Sequence, residues 1–104
     1  DMMIVRGVNV FPTQIEELLL EVPALAGHYR ILLTREGRMD EMTVEVEIRP
    51  DSDYPDVVAE SGRRLSRRIK DTIGISARVQ VVPPGMLERS LGKAKRVFDQ
   101  RPKG

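Results

Sequence analysis

The sequence predicts an α+β two-layer sandwich: a small, mainly antiparallel sheet with two helices on one face, in the order β-α-β-β-α-β, followed by a basic C-terminal tail that carries a candidate lysine. Three observations predict it. Met42, Val44, Val46 and Ile48 alternate with Thr43, Glu45, Glu47 and Arg49, the period of a strand with one face buried and one wet. Residues 15–22 and 58–73 carry apolar side chains at helical spacing. Glycine and proline fall between these stretches, where turns and caps belong.

Each element follows from its own residues. Residues 2–10 are apolar and β-branched, broken by Arg6-Gly7 and Asn9, and read as two short strand pieces with a kink at Gly7. Pro12 and Thr13 open a helix. Thr13 with Glu16 fits a capping box and Pro12 fits the first helical position, and both starts remain open. Ile15, Leu18, Leu19 and Val22 form the helix's apolar stripe, and Pro23 and Gly27 end it. Residues 28–35 place Tyr29, Ile31 and Leu33 on one side of a strand. Glu36-Gly37-Arg38 is a turn, and the alternating run completes an antiparallel hairpin.

Pro50 and Asp51-Ser52-Asp53 break the sheet. Tyr54-Pro55-Asp56 starts a long helix reaching about Ile73, with Val58, Leu65, Ile69 and Ile73 on its inner face, Gly62 a weak point and Gly74 the stop. Ile75, Ala77, Val79 and Val81 make the last core strand, and Pro83-Pro84-Gly85 closes the body. The tail, residues 86–104, is basic and polar, with Val97 and Phe98 as its expected anchor.

Composition narrows the function classes. A chain of 104 residues supports one domain, 1–104, with a modest core. It opens on Asp1 and enters strand-like sequence at once, so it reads as cut from a longer chain, with a trimmed small protein as the alternative. Without cysteine there is no disulfide framework, thiol catalysis or cysteine-bound zinc. Net charge of +1 gives no bulk attraction to polyanions, and 4% aromatic content leaves few platforms for stacking bases. No apolar run approaches the ~18–20 residues of a membrane span, and no leader pattern is seen, so a cytoplasmic setting is expected.

No self-contained active site is visible. His28 is the only histidine, so histidine metal clusters and Ser-His-Asp triads lack support, and a structural role is the plainer reading for it. No phosphate-binding G-x-x-x-x-G-K-[ST] loop occurs. Glu45 and Glu47 fall on the predicted wet face and read as solvated rather than as an acid–base pair. Arg63, Arg64, Arg67, Arg68 and Lys70 read as the solvated face of the long helix, with a phosphate-binding face as the lesser reading.

Two segments exceed what a core requires. In Arg6-Gly7-Val8-Asn9-Val10-Phe11-Pro12 a glycine amid apolar strand residues invites close approach of a ligand or another backbone, or marks a bulge. In Arg89-Ser90-Leu91-Gly92-Lys93-Ala94-Lys95-Arg96 a glycine precedes a lysine, giving a bendable backbone and a long cationic reach, or a solvated basic tail. A lysine held ~4 Å from a phosphate gains about 4 kcal/mol at an effective dielectric near ~20. Held against charge that grows in a transition state, it accelerates reaction.

These two segments resemble the C-terminal domain of phenylacetate–CoA ligases, adenylate-forming acyl-CoA synthetases. Residues 1–16, through Arg6-Gly7-Val8-Asn9-Val10-Phe11-Pro12 and Ile15-Glu16, look like that domain's start. Arg89-Ser90 and Gly92-Lys93-Ala94-Lys95-Arg96-Val97 look like its closing lysine motif. The resemblance implies an ATP-dependent, Mg²⁺-requiring reaction in two steps: an aryl acetate becomes an acyl adenylate, then coenzyme A takes the acyl group as a thioester. It implies a large N-terminal adenylation domain as partner, around which this small domain rotates between steps. It implies Lys93 as the adenylation lysine, with Gly92 and Arg96 supporting it and residues 86–104 forming its loop and tail. It implies Arg6, Gly7, Val8 and Asn9 along the pantetheine channel of the thioester-forming face, and a hinge at Asp1. ATP, coenzyme A and Mg²⁺ are expected to belong to the full-length enzyme, with the isolated domain inactive. Glu88 stands where the family commonly has proline, and Leu91 where it is often acidic; these departures bear on loop stiffness and substrate range.

Two other classes share the predicted element order, and fold alone does not fix function. A free-standing ferredoxin-like regulatory or small-ligand-binding module needs no partner domain. An RNA-binding sandwich needs exposed aromatics on central strands, and Tyr29 falls on the core face, so no nucleic-acid or membrane partner is expected. A homodimer through the face that otherwise meets the partner domain is the self-association expected of an excised lid.

Overall fold

The computed structural model describes residues 2–88 and 95–102. Strands β1 (Met3–Val5) and β2 (Val8–Val10) pair antiparallel as a separate two-stranded sheet. Arg6 and Gly7 are the two residues between them, with φ of 48° and 78°. Positive φ at both central positions is the signature of a type I′ turn, whose twist matches that of the strands it joins. The expected kink at Gly7 is therefore a tight hairpin turn and not a bulge.

Helix α1 spans Pro12–Leu20. Of the two possible starts the structure takes Pro12 at the first helical position. Gln14, not Glu16, reaches back: its Oε1 accepts the Phe11 N–H at 2.8 Å. Proline suits this position because its missing N–H would have had no helical partner. Ile15, Leu18 and Leu19 are buried, and Val22 is buried just beyond the helix.

Strands β3 (Leu25–Glu36) and β4 (Met39–Ile48) form the long antiparallel pair at the centre of the second sheet, joined through Gly37-Arg38. β3 starts three residues earlier than the alternation suggested, with an irregular register between Leu25 and Tyr29. Tyr29, Ile31 and Leu33 lie opposite Val46, Val44 and Met42, and all six are buried. After a single 3₁₀ turn at Pro50–Ser52, helix α2 runs Pro55–Ile73. Asp56 in its first turn and Lys70 in its last complement the helix dipole, and Gly74 closes it with φ 90°. Leu65 and Ile69 are fully buried, each contributing about 1.5–3 kcal/mol. Ser61 is buried beside them, and Gly62 packs close enough to the strand after the helix that a Cβ there would lie 3.5 Å from Val81 Cγ2.

Strand β5 (Arg78–Val82) pairs parallel with β4, and β6 (Val97–Asp99) pairs parallel with β3, giving the order β5-β4-β3-β6. The α+β two-layer expectation holds, with the sheet mixed: the longest ladder is antiparallel and both flanking pairs are parallel. The tail supplies β6, and Val97 and Phe98 do anchor it, with Leu87 as a further buried anchor.

One face of this sheet departs from the expected wet surface. Glu47 is only 2% exposed and Thr43 is 8% exposed, although both alternate with the core residues of β4. At the Glu47 end, the segment after β5 folds back across the sheet, and Leu87 is buried there. Glu45, by contrast, is partly exposed and ion-paired with Arg30, whereas the solvated reading fails for Glu47.

Candidate functional site

The hairpin turn is held against the main sheet by its own arginine. Arg6 donates from Nη1 to the Asp40 carbonyl at 2.6 Å and from Nη2 to the Ser76 carbonyl at 2.5 Å, and lies 3.5 Å from the Glu41 carboxylate. A left-handed backbone costs a non-glycine residue roughly 1–2 kcal/mol, and these bonds offset that cost. Gly7 faces open space, since a Cβ built there meets nothing within 4 Å. Val8 is partly buried and Asn9 is exposed. The structure thus brings Arg6, Gly7, Val8 and Asn9 to one small edge, with an accessible backbone at its tip. Just beyond β2, Phe11 is 45% exposed, and Met2, just before β1, and Ile4, on it, are similarly open. That apolar edge leaves this side of the hairpin suited to a protein neighbour rather than to water.

Asp1, Gly92 and Lys93 lie outside the described residues. What flanks the lysine segment is described. On its N-terminal side the buried Glu47 carboxylate accepts two backbone N–H groups, from Gly85 at 2.8 Å and from Leu87 at 3.0 Å. Charge-assisted bonds of this kind are about twice as strong as neutral ones, which is what allows a carboxylate to sit at 2% exposure. On the C-terminal side the Arg96 guanidinium lies 4.6 Å above the Tyr29 ring, and its Nη1 donates to the Tyr29 carbonyl at 3.4 Å. The Arg96 carbonyl accepts Ile31 N–H at 2.7 Å, at the start of the β3–β6 ladder. Lys95 lies 4.8 Å over the Phe98 ring. Both flanks are tied to the central strand pair, β4 before the lysine and β3 after it.

Tyr29 joins this anchor to α1. Its hydroxyl donates over a long 3.5 Å to the Pro12 carbonyl. Burial pushes the phenol up to about 12, the nearby Glu16 carboxylate reinforces this, and Arg96 pulls the other way. The expectation that Tyr29 is a core residue holds, at 5% exposure.

A charge network ties the tail to the hairpin. Arg101 gives Asp99 two bonds of 2.9 Å, donates to Asp40 Oδ2 at 2.8 Å, and donates to the Ile4 carbonyl in β1 at 2.7 Å. Arg35 holds the other Asp40 oxygen at 2.7 Å. Hydrogen bonds from Arg101 hold the Asp99 carboxyl well down, at about 2, and Arg35, then Arg101, holds the Asp40 carboxyl below its usual range. Nothing in the sequence pattern singled out Arg101 or Asp99, because the network depends on strand β6 lying beside β3.

The remaining polar candidates lie away from this network. His28 is exposed. On α2, Arg63 pairs with Glu60 and Arg68 with Glu21, while Arg64, Arg67 and Lys70 are exposed. A shallow, open depression between α2 and β5 includes Arg63, Arg67 and Lys70 but no residue of the hairpin or of the segments flanking the lysine. Among the described residues there is no group of three His, Cys, Asp or Glu side chains able to hold a metal ion, and no helix long and apolar enough to cross a membrane.

Comparison with known proteins covers both candidate segments. Residues 7–101 match the family model of the AMP-binding enzyme C-terminal domain. The chain is 47% identical to a phenylacetate-coenzyme A ligase of Aromatoleum evansii, over 99% of this chain and 24% of that protein. It is 42% identical to the Escherichia coli K12 phenylacetate-coenzyme A ligase, over 97% of this chain and again 24% of that protein. The chain thus spans about a quarter of the length of these curated relatives. Among solved structures, a domain of phenylacetate-coenzyme A ligase from Bacteroides vulgatus ATCC 8482 superposes with a TM-score of 0.90 at 41% identity, covering 100% of this chain and 96% of that one. A 2-hydroxyisobutyryl-CoA ligase in complex with 2-HIB-AMP and CoA in the thioesterification state superposes with a TM-score of 0.89 at 32% identity, over 97% of this chain and 21% of that one. With the fold and nearly the whole length in agreement, this chain belongs to the AMP-binding enzyme C-terminal domain family.

Proposed function

We propose that this chain is the C-terminal lid domain of an ATP-dependent, AMP-forming aryl-acid–CoA ligase, with phenylacetate as the acid, acting beside an N-terminal adenylation domain in the cytoplasm. The observation that carries the reading is the likeness, over nearly all of this chain, to the matching part of CoA ligases at 41–47% identity. That match favours the ligase domain over a free-standing regulatory module.

In the first half-reaction a carboxylate oxygen attacks the α-phosphorus of ATP, the bond to the β-phosphate oxygen breaks, and pyrophosphate leaves. In the second, the thiol sulfur of coenzyme A attacks the acyl carbon, AMP leaves, and the thiol proton is released. The role proposed for Lys93 is to place its ammonium against the carboxylate and α-phosphate oxygens as negative charge builds during adenylation. Support for it comes from the flanking anchors at Glu47 and Arg96, which fix the chain on both sides of the lysine to a rigid strand pair. The role proposed for the Arg6-Gly7 turn, with Val8 and Asn9, is to border the route of the thiol in the thioester-forming state. Support comes from the open space at Gly7 and from the bonds that hold Arg6 in its left-handed conformation. Asp1 is proposed as the hinge between the two arrangements. Mg²⁺ supplies charge neutralisation on the triphosphate when bound, and with no donor cluster among the described residues no ligand on this chain is assigned to it.

The test separates the half-reactions in the full-length parent enzyme. Lys93→Ala is expected to lower ATP–pyrophosphate exchange by about 100-fold or more, while thioester formation from preformed acyl adenylate stays within a few-fold. Loss of neither half-reaction removes the lysine assignment.

A further inference from the structure

Among the described residues, Glu47 is the buried acid, and the scheme above does not use it in its chemistry. We infer that Glu47 is a positioning residue for adenylation: its carboxylate clamps the turn after β5 and so sets where the lysine-bearing segment leaves the sheet. The inference rests on the proposed role of Lys93.

Four observations carry it. Glu47 is 2% exposed on the sheet face where Glu45, two residues earlier, is partly exposed, so its burial is built by the segment that covers it. It accepts the N–H groups of Gly85 and Leu87, one with each carboxylate oxygen, so the turn cannot shift along the sheet without breaking a charge-assisted bond. Gly85 has φ 79°, so the turn takes its left-handed step at the first of the two clamped residues. Leu87, itself 7% exposed, is then two residues from Arg89, where the closing motif begins.

A core needs none of this. An apolar side chain at position 47 would extend the dry surface and remove the acceptors of the Gly85 amide and the buried Leu87 amide. A carboxylate instead fixes one backbone position through two bonds of known direction. Misplacing a catalytic group by about 1 Å can cost ~100-fold in rate, so an anchor close to the lysine segment has leverage that a distant core residue lacks.

The test uses Glu47→Gln and Glu47→Ala in the full-length parent ligase, with Lys93→Ala in parallel. Glu47→Gln keeps the volume and one acceptor oxygen. It is expected to lower kcat for pyrophosphate exchange by about 10-fold, and Glu47→Ala by up to ~100-fold, with KM for ATP unchanged and thioester formation from preformed adenylate within ~2-fold. Amide hydrogen exchange should show Gly85 and Leu87 losing protection in both variants. If Glu47→Ala does not fold, Glu47→Gln alone decides. Equal loss in both half-reactions would mean a purely structural role and overturns the inference. So does undiminished pyrophosphate exchange while the two amides exchange fast. If Lys93→Ala itself spares adenylation, the lysine reading has failed; if Lys93→Ala is selective and Glu47→Gln is not, only the positioning role falls.

Discussion

The guanidinium of Arg96 lies 4.6 Å above the ring of Tyr29, and through that contact the strand that follows the lysine segment is fastened to β3 and to the start of α1. The ring is buried among apolar neighbours and its hydroxyl faces the Pro12 carbonyl, so one aromatic side chain serves three elements at once.

This arrangement predicts an alkaline weakness. The Tyr29 phenol is raised from 10.0 to about 12 in the folded chain, chiefly by burial. A raised acid keeps its proton in the native state after the unfolded chain has lost it. Its contribution is therefore fully present below pH 10 and is lost as pH rises towards about 12. Urea unfolding of the chain in a Tyr54→Phe background, with tyrosinate absorbance as the titration signal, should show stability falling across that window. Tyr29→Phe should remove that part of the fall. Arg96→Ala should destabilise by about 1 kcal/mol at neutral pH and push the phenol higher still, because Arg96 is the group that lowers it. Equal alkaline slopes for the Tyr29→Phe variant and its parent would contradict the assignment.

What was legible in the sequence follows the range of the interactions involved. Helix α2 is readable from its ends because Pro55, Asp56, Lys70 and Gly74 act within one turn of each terminus. The inner face of β4 is readable because side-chain alternation is a property of the strand alone. The state of Glu47 was not readable, since alternation says which face a residue occupies and not what covers that face. Strand β6 was missed for a similar reason: three residues carry little pattern, and its parallel partner lies more than sixty positions earlier. The Arg6-Gly7 and lysine segments stood out as excess over core requirements, while Arg101 and Asp99 became meaningful only once β6 was in place.

The Asp99–Arg101 pair predicts the opposite pH behaviour. Hydrogen bonds from Arg101 depress the Asp99 carboxyl from 3.8 to about 2. A depressed acid contributes stability above its unfolded value, and that contribution is lost as pH falls from 3.8 through about 2. The pair is half exposed on the Asp99 side, so added salt should shrink the effect. Arg101→Ala should flatten the acid limb of the stability curve, read by thermal unfolding at a series of low pH values. Arg101→Lys should not restore it, because an ammonium cannot reproduce the forked bonds to Asp99 while also reaching Asp40 and the Ile4 carbonyl. Full recovery with lysine would show that charge alone, without the fork, holds the tail to the hairpin.

Arg6 offers a way to weigh backbone strain against side-chain anchoring at the hairpin tip. Its φ of 48° disfavours most residues, yet its guanidinium holds the Asp40 and Ser76 carbonyls. Arg6→Ala keeps the strain and loses the bonds, and should destabilise the chain by about 1–3 kcal/mol. Arg6→Asn loses the same bonds but tolerates the left-handed region, so it should cost about 1 kcal/mol less than alanine. The gap between the two variants in urea unfolding measures the strain, and the asparagine value measures the anchor. In the full-length parent enzyme both should slow thioester formation from preformed adenylate more than pyrophosphate exchange, because the turn they loosen borders the proposed thiol route and not the lysine segment. Equal effects on both half-reactions would place Arg6 with the scaffold alone.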